Sequence, residues 1–406
     1  MITGNGNVTS AQGFKAAGNA VGLKKVKKDM AIIVSDVPAT AAGCFTTNVV
    51  KAAPVLWDMA HVDNKISGIV VNSGNANACT GEQGLKDAET TADCLAQLIG
   101  GGCTKDNVLV CSTGVIGVNL DMEKVLNGVK ATYPLVNDSK ENGDTAAEAI
   151  MTTDTYAKTI SVEIEVGGKK VTLGGMAKGS GMINPNMATM LCFITTDCAI
   201  SKPMLDKALK ECVVDTFNMI TVDGDTSTND TVLVLANGLA GNAEISSEGE
   251  DYDKFKEALF AINKDLAIKC VDDGEGATKL MEVHVEGAKT KDDARTIAMS
   301  VTSSNLFKAA LFGEDANWGR VLCAMGYSGA QFNPMGVTIH FRSEGGTIML
   351  MDNGTPIVFD EELASKILKE HKIFVEIQLA EGSESAVAWG CDLTYDYVKI
   401  NGDYRS

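Results

Sequence analysis

The stretch KGSGMINPNMATMLCFITTD, residues 178–197, crowds Gly, Ser, Asn and Pro into its first half. It then turns apolar in one step, with Thr189 beside the junction. A hydroxyl there is chemically useful only if a base can activate it. The four histidines (61, 284, 340 and 371) are dispersed, which argues against a histidine-based triad or a His-centred metal site. A threonine whose own α-amine is free carries its base with it, because that amine titrates near about 8 and sits next to Oγ. A cut between Ala188 and Thr189 would create such a residue at the head of a strand. The competing reading is a threonine buried inside a strand, and spacing alone leaves both open.

Five further polar, Gly-containing loops adjoin apolar strands: VNSGNANACTG (71–81), VCSTGVIG (110–117), MTTDT (151–155), VDGDTSTNDT (222–231) and VDDGEGATK (271–279). One such loop is an ordinary turn. Six in one chain, rich in hydroxyls, suggest a site made of Ser/Thr oxygens, backbone amides and a few charges. Familiar signatures fail: in GGMAKGSG, Gly179 is followed by Ser180 with Lys178 on the wrong side for a phosphate loop, GSGMIN lacks the third glycine of a dinucleotide loop, and DGDTSTND has Ser227 and no glycine where a calcium loop would want them.

The elements that must position these loops follow from periodicity. ISGIVV (66–71) and NVLVC (107–111) are buried strands, and between them 82–99 repeats Leu85, Ala88, Ala92, Leu95 and Ile99 at helical spacing. Residues 161–175 alternate, turn at Gly-Gly and alternate again, which predicts a hairpin. MLCFITTD is a strand and 201–217 a helix with Ser201 as cap. Strand, polar loop and strand are expected over 220–236, a strand over 279–287, helices over 292–312 and 317–326, and strands to the end of the chain. Strands and helices mix without regular β-α-β alternation, which favours an α+β layered fold over a doubly wound one. The loop at 179–187 is either a domain boundary or a site loop.

With 406 residues, 45% of them hydrophobic, the chain can bury a large core. Its net charge of −18 argues against nucleic acid or an anionic membrane surface as partner. The N-terminal MITGNGNVTSAQGF lacks the apolar core of a signal peptide and no run is long enough to span a bilayer, so a cytoplasmic location is the expectation. Eleven cysteines without a C-x-x-C pair read as reduced, mostly buried thiols.

The motifs NSGNANACTG, CSTGVIG, TTDT, AKGSGMINPNMATML, DGDTSTNDT, DGEGATK, DANWGRV and the C-terminal AWGCDLTYDYVKINGDYRS occur in one order along the whole chain. In these the sequence closely resembles the bifunctional-type glutamate N-acetyltransferase / ornithine acetyltransferase family of arginine biosynthesis. The resemblance implies an α/β layered sandwich related to N-terminal-nucleophile hydrolases, with a smaller C-terminal α/β part. It also implies self-cleavage between Ala188 and Thr189 into an α chain, 1–188, and a β chain, 189–406, which stay intertwined and assemble as α2β2. Thr189 would be the nucleophile, taking acetyl from N-acetylornithine and passing it to glutamate. Thr113 and Gly114 would form the oxyanion hole, and Thr152, Lys178, Thr189, Glu275, Asn401 and Ser406 would contact substrate. No metal or bound organic cofactor is implied. Acetyl-CoA stays open as a further donor substrate, because mono- and bifunctional members share the core motifs. Asn184, Ala316 and Ser406 depart from the residues common in the family (His, Pro and Thr), yet none removes the nucleophile or the oxyanion donors. Three other readings remain: an N-terminal-nucleophile peptidase or amidohydrolase using water, an uncleaved small-molecule-binding protein, and a specialised acetyltransferase with relaxed acceptor choice.

Overall fold

The computed structural model describes residues 1–184 and 190–403. In chain order its elements are β1 (Ile2–Gly4), β2 (Phe14–Asn19), β3 (Met30–Phe45), α1 (Ala53–His61), β4 (Ile66–Asn75), α2 (Gly81–Ile99), β5 (Val108–Val115), α3 (Met122–Thr132), α4 (Lys140–Ile150), β6 (Lys158–Val166) and β7 (Lys169–Lys178). There follow β8 (Leu191–Thr196), α5 (Lys202–Val214), β9 (Ile220–Thr221), β10 (Thr231–Ala236), α6 (Glu250–Asp272), β11 (Leu280–Ala288), α7 (Lys291–Thr302), α8 (Asn305–Phe312) and α9 (Trp318–Gly326). The chain closes with β12 (Thr338–Ser343), β13 (Gly346–Asp352), β14 (Thr355–Pro356), α10 (Glu361–Leu368), β15 (Lys372–Gln378), β16 (Glu384–Cys391) and α11 (Tyr395–Asp403).

The larger sheet runs β1-β6-β7-β8-β10-β3-β4-β5, with β2 paired to β3. Its hairpin β6–β7 pairs Val166 with Lys169, leaving Gly167 and Gly168 as the two-residue loop that the twist of antiparallel strands favours. β3 belongs to two layers. Its first residues pair with β2 and β4, its last with β10, and the register shifts between Val34 and Ala39, around Pro38, which has no N–H to give to a ladder. The two layers bury one cluster between them, in which Ile33, Ile69, Val71, Leu109 and Cys111 meet Met176, Leu191, Phe193, Leu233 and Leu235, plugged by Ala146, Ala147 and Ile150 of α4. Helices α1, α2 and α3 cover one outer face through Trp57, Ala88, Ala92, Leu95, Val125 and Val129. α5 and α6 cover the other through Leu205, Leu209, Phe255, Leu259 and Ile262. Four layers, helix-sheet-sheet-helix, result: an α+β sandwich, as the sequence led us to expect.

The C-terminal part is a second sheet, β14-β13-β12-β15-β11-β16-β9, whose inner side shares the cluster of α5 and α6 and carries α7 and α10. β9 joins it from just ahead of β10, so the chain crosses between the two sheets within ten residues of the 222–231 loop. β8 and β10 lie inside the larger sheet between β7 and β3, so residues on either side of position 188 share one sheet.

Three expectations need correction. The single helix over 292–312 is two, α7 and α8, because Ser304 leaves the helix and caps the next by accepting the Phe307 N–H. The chain does not end in strands: residues 395–403 form α11, which buries none of its side chains and leaves Tyr395 and Val398 exposed. Leu85, assigned to the buried stripe of α2, is exposed, and Gly84, Ala88, Ala92 and Leu95 make that stripe instead. Ser201 does stand at the N-cap of α5, but its hydroxyl makes no capping bond. Most of the cysteines are buried.

Candidate functional site

Six of the loops and strand ends singled out by the sequence open onto one cavity. Its wall takes Thr113 and Gly114 from the end of β5, Thr152 from the turn after α4 and Lys178 from the end of β7. Glu275 from the turn after α6 and Asn401 from α11 complete the set. Gly181 and Met182 also line it, so the described part of the 179–187 loop belongs to the site. Ala188, Thr189 and Ser406 lie outside the described residues. Met190, next to Thr189 in the chain, lines the cavity, and its carbonyl accepts the Thr231 N–H at 2.9 Å at the start of β10.

β4 and β5 are parallel, and their ends meet at Gly74 and Gly114, where the ladder becomes irregular. Gly114 has φ +132°, and a Cβ on it would lie 2.3 Å from the carbonyl carbon of Gly74. Only glycine fits there. Gly114→Ala is therefore expected to push the two strand ends apart and destabilise the chain by about 2 kcal/mol or more, seen as a lower urea midpoint at unchanged slope. Thr113, one residue earlier, accepts a hydrogen bond from Lys178 Nζ at 3.3 Å. Lys178 is only 8% exposed, so its ammonium faces the cavity rather than bulk water.

On the opposite side Asn401 Nδ2 donates to Glu275 Oε2 at 2.7 Å, which seats α11 against the site. A Cβ on Gly181 would lie 2.4 Å from the Glu275 carboxylate, so this carboxylate rests directly on the loop backbone. Glu275 N–H donates to Ser180 carbonyl at 2.9 Å. The loop itself is held by Asp223, whose carboxylate accepts the N–H groups of Met182 at 2.6 Å and Ile183 at 2.9 Å.

Two supports escaped the sequence reading. Asn229, in the loop before β10, donates to the carbonyls of Ala76 at 2.6 Å and Ser112 at 2.8 Å, tying the ends of β4 and β5 to that loop. Nothing local marks it out from its polar neighbours. Lys158 lies buried between Asp154 and Asp273, at 2.7 and 2.6 Å. Burial pushes the Asp154 carboxyl up, but the ammoniums of Lys158 and Lys178, with bonds from Lys158 and the Thr152 N–H, outweigh it and hold Asp154 at about 2. The asparagines of the NSGNANAC loop hold backbone and neighbouring strands: Asn72 Oδ1 accepts from Ser112 Oγ at 2.5 Å, and Asn77 donates to the Gly84 carbonyl at 2.9 Å. Among the described residues no group of three or more His, Cys, Asp or Glu is placed to hold a metal ion, and no helix is long and apolar enough to cross a membrane.

A family model described as ArgJ family matches residues 15–406. The chain belongs to the ArgJ family. It is 53% identical over 405 residues to the arginine biosynthesis bifunctional protein ArgJ of Symbiobacterium thermophilum, a match covering 99% of each chain. The protein of the same name from Caldanaerobacter subterraneus subsp. tengcongensis is 52% identical over 403 residues, again covering 99% of both. A crystal structure of the bifunctional ArgJ of Bacillus halodurans, 44% identical, superposes with a TM-score of 0.50, covering 53% of this chain and 100% of that one. The resemblance carried by the motifs is thus a family membership, and this ArgJ-family chain is an acyltransferase of arginine biosynthesis.

Proposed function

We propose that this chain is a self-cleaving glutamate N-acetyltransferase that moves acetyl from N2-acetylornithine to glutamate through an acetyl-Thr189 intermediate. One observation carries the reading. Thr113, Gly114, Thr152, Lys178, Glu275 and Asn401 come from distant parts of the chain, yet they line one cavity together with Met190, the residue bonded to Thr189. Cleavage between Ala188 and Thr189 gives α and β chains that share the larger sheet. The Bacillus halodurans crystal chain, matched over its whole length, spans 53% of this one, and residues 189–406 are likewise a little over half.

Thr189 Oγ attacks the acetyl carbonyl while its proton passes to the α-amine of the same residue. The carbonyl oxygen, now negative, is held by the Thr113 hydroxyl and the Gly114 N–H, and losing one such donor typically costs about 10²–10³ in rate. The proton goes on to the leaving amine, and ornithine departs. The amine of glutamate then attacks the acetyl ester, and the same groups run the steps in reverse order. Both amino acids carry an α-carboxylate, for which the buried Lys178 ammonium is the natural partner. Glu275 faces the amines. The scheme needs no metal and no bound cofactor, and the assembly is taken as α2β2 in the cytoplasm.

The test is to add acetylornithine without glutamate and weigh the denatured chains. The fragment beginning at Thr189 is expected to gain one acetyl group, and initial rates against both substrates should give the parallel lines of a ping-pong scheme. An enzyme that turns over while that fragment stays unmodified overturns the reading. Acetate release independent of glutamate would make the chain an amidohydrolase instead.

A further inference from the structure

β5 is the last strand of the larger sheet, so among the described residues one of its edges has no strand beside it. The strand is nevertheless buried over 108–112, and backbone groups on that edge need partners. Helix α1 supplies two of them from consecutive side chains. Trp57 Nε1 donates to the Val108 carbonyl at 3.0 Å, and Asp58 Oδ1 accepts the Val110 N–H at 2.7 Å. The Ser112 carbonyl takes its bond from Asn229, so the alternate residues 108, 110 and 112 are each held by a side chain. The next residue in that row is Gly114, which lines the cavity with Thr113. Cys111 Sγ also donates to Asp58, 3.3 Å from Oδ2. Asp58, Cys111 and Trp57 are all buried, and His61 stacks on Trp57 with ring centres 3.8 Å apart.

A buried carboxyl is a costly way to hold one N–H. The partners of Asp58 are a backbone amide and a thiol, not a cation, and burial pushes its carboxyl well above the ordinary range against the pull of both bonds. Covering an edge with a helix is enough to blunt it; bonding its backbone atom by atom fixes the position of the strand as well. We propose that Trp57 and Asp58 are positioning residues for acetyl transfer: they stand in for the missing neighbour of β5 and fix the Thr113 hydroxyl and the Gly114 N–H where the oxyanion forms. The inference rests on the acetyltransferase reading and deepens it. Neither residue lines the cavity, so each acts through the strand. β4 holds β5 from one side only, and their ladder becomes irregular at Gly74, so the strand end needs a second clamp. Val110 is three residues before Thr113, close enough for a shift at one to reach the other. A donor moved by a fraction of an ångström loses distance and angle together, and with them its hold on the oxyanion.

The test compares Asp58→Leu, which keeps the outline and loses the acceptor, with Asp58→Asn, whose amide oxygen still accepts the Val110 N–H. Acetyl transfer from acetylornithine to glutamate is counted per molecule cut at Thr189, and urea midpoints are taken beside it. Asp58→Leu is expected to lower kcat by about 10- to 100-fold with the KM for acetylornithine unchanged, because the oxyanion exists only in the transition state. Asp58→Asn should restore most of the rate. In a Thr113→Val background, which already lacks one donor, Asp58→Leu should cost much less than it does alone, since both changes strike the same oxyanion hole. Trp57→Phe removes only the indole N–H and should show the same kcat loss in smaller measure. A folded, cut Asp58→Leu enzyme with wild-type kcat overturns the proposal. So do a raised KM at unchanged kcat, an Asn variant no better than the Leu variant, and losses that simply add in the Thr113→Val background. If Asp58→Leu does not fold, Trp57→Phe decides, and a wild-type kcat there overturns the proposal. A wild type that transfers no acetyl sinks the acetyltransferase reading itself.

Discussion

Thr189→Ala is expected to be recovered as one uncut chain with acetyl transfer lowered by about 10⁴-fold or more, since nucleophile and base leave together. Loss of activity alone would not separate the two roles, because an uncut chain also lacks the free amine. Thr189→Ser separates them. It keeps a hydroxyl, so the chain should still be cut, more slowly, and should carry acetyl on the new N-terminal serine. Intact mass after a timed incubation gives the fraction cut, and the exchange assay gives the rate per cut molecule. A Thr189→Ala chain that is cut, or that transfers acetyl at the wild-type rate, would mean that Thr189 is a strand threonine and that the scheme has no base. An uncut, inactive wild type that still binds acetylornithine would return the chain to the class of binding proteins.

How much of this was legible depended on whether the cause lay within a few residues. The β6–β7 hairpin was, because alternation and a Gly-Gly turn are local causes. The loops that line the cavity were, because Gly, Asn and Thr at strand ends announce themselves, and the family motifs then linked them. β3 was not: its alanine-rich run with Pro38 shows no clean period, since its two halves serve different layers. α11 misled because Tyr395, Tyr397, Val398 and Ile400 are residue types that favour strands. With β16 already paired on both sides by β11 and β9, no edge is left beside it for another strand. The joined helix over 292–312 misled for the opposite reason, apolar spacing continuing across the Ser303–Ser304 break. Asn229 and the role of Lys158 as a link could not have been found, since Ala76 and Ser112, and for Lys158 the second carboxylate, Asp273, lie more than a hundred residues away in the sequence.

Lys158 carries the second large prediction. It is fully buried, and its ammonium joins Asp154, also fully buried, to Asp273, 3% exposed. Asp154 in turn accepts the N–H groups of Thr152 at 2.9 Å and Gly179 at 2.7 Å. Asp273 accepts the Thr155 N–H at 3.0 Å, and its carbonyl accepts Ser180 Oγ at 2.6 Å. One cation therefore fixes the three segments that bring Thr152, Lys178 and Glu275 to the cavity. Lys158→Met keeps the volume but strands two buried carboxylates, and is expected to cost about 3–5 kcal/mol at pH 7. The sign with pH follows from Asp154. Its folded pKa, about 2, lies below the ordinary 3.8, so in the wild type its contribution is full above about pH 4 and is lost as pH falls through 2. In the variant the ammonium is gone and burial dominates, so the folded state takes up a proton more readily than the unfolded one and the deficit against wild type shrinks on acidification. Urea midpoints of the two proteins at pH 7 and pH 5 measure this. Equal midpoints at pH 7, or a deficit that grows toward pH 5, would show that the ammonium does not hold these carboxylates. If the triple variant Lys158→Met/Asp154→Asn/Asp273→Asn regains stability but not acetyl transfer, the network's role is to place Thr152, Lys178 and Glu275, and stability alone does not explain it.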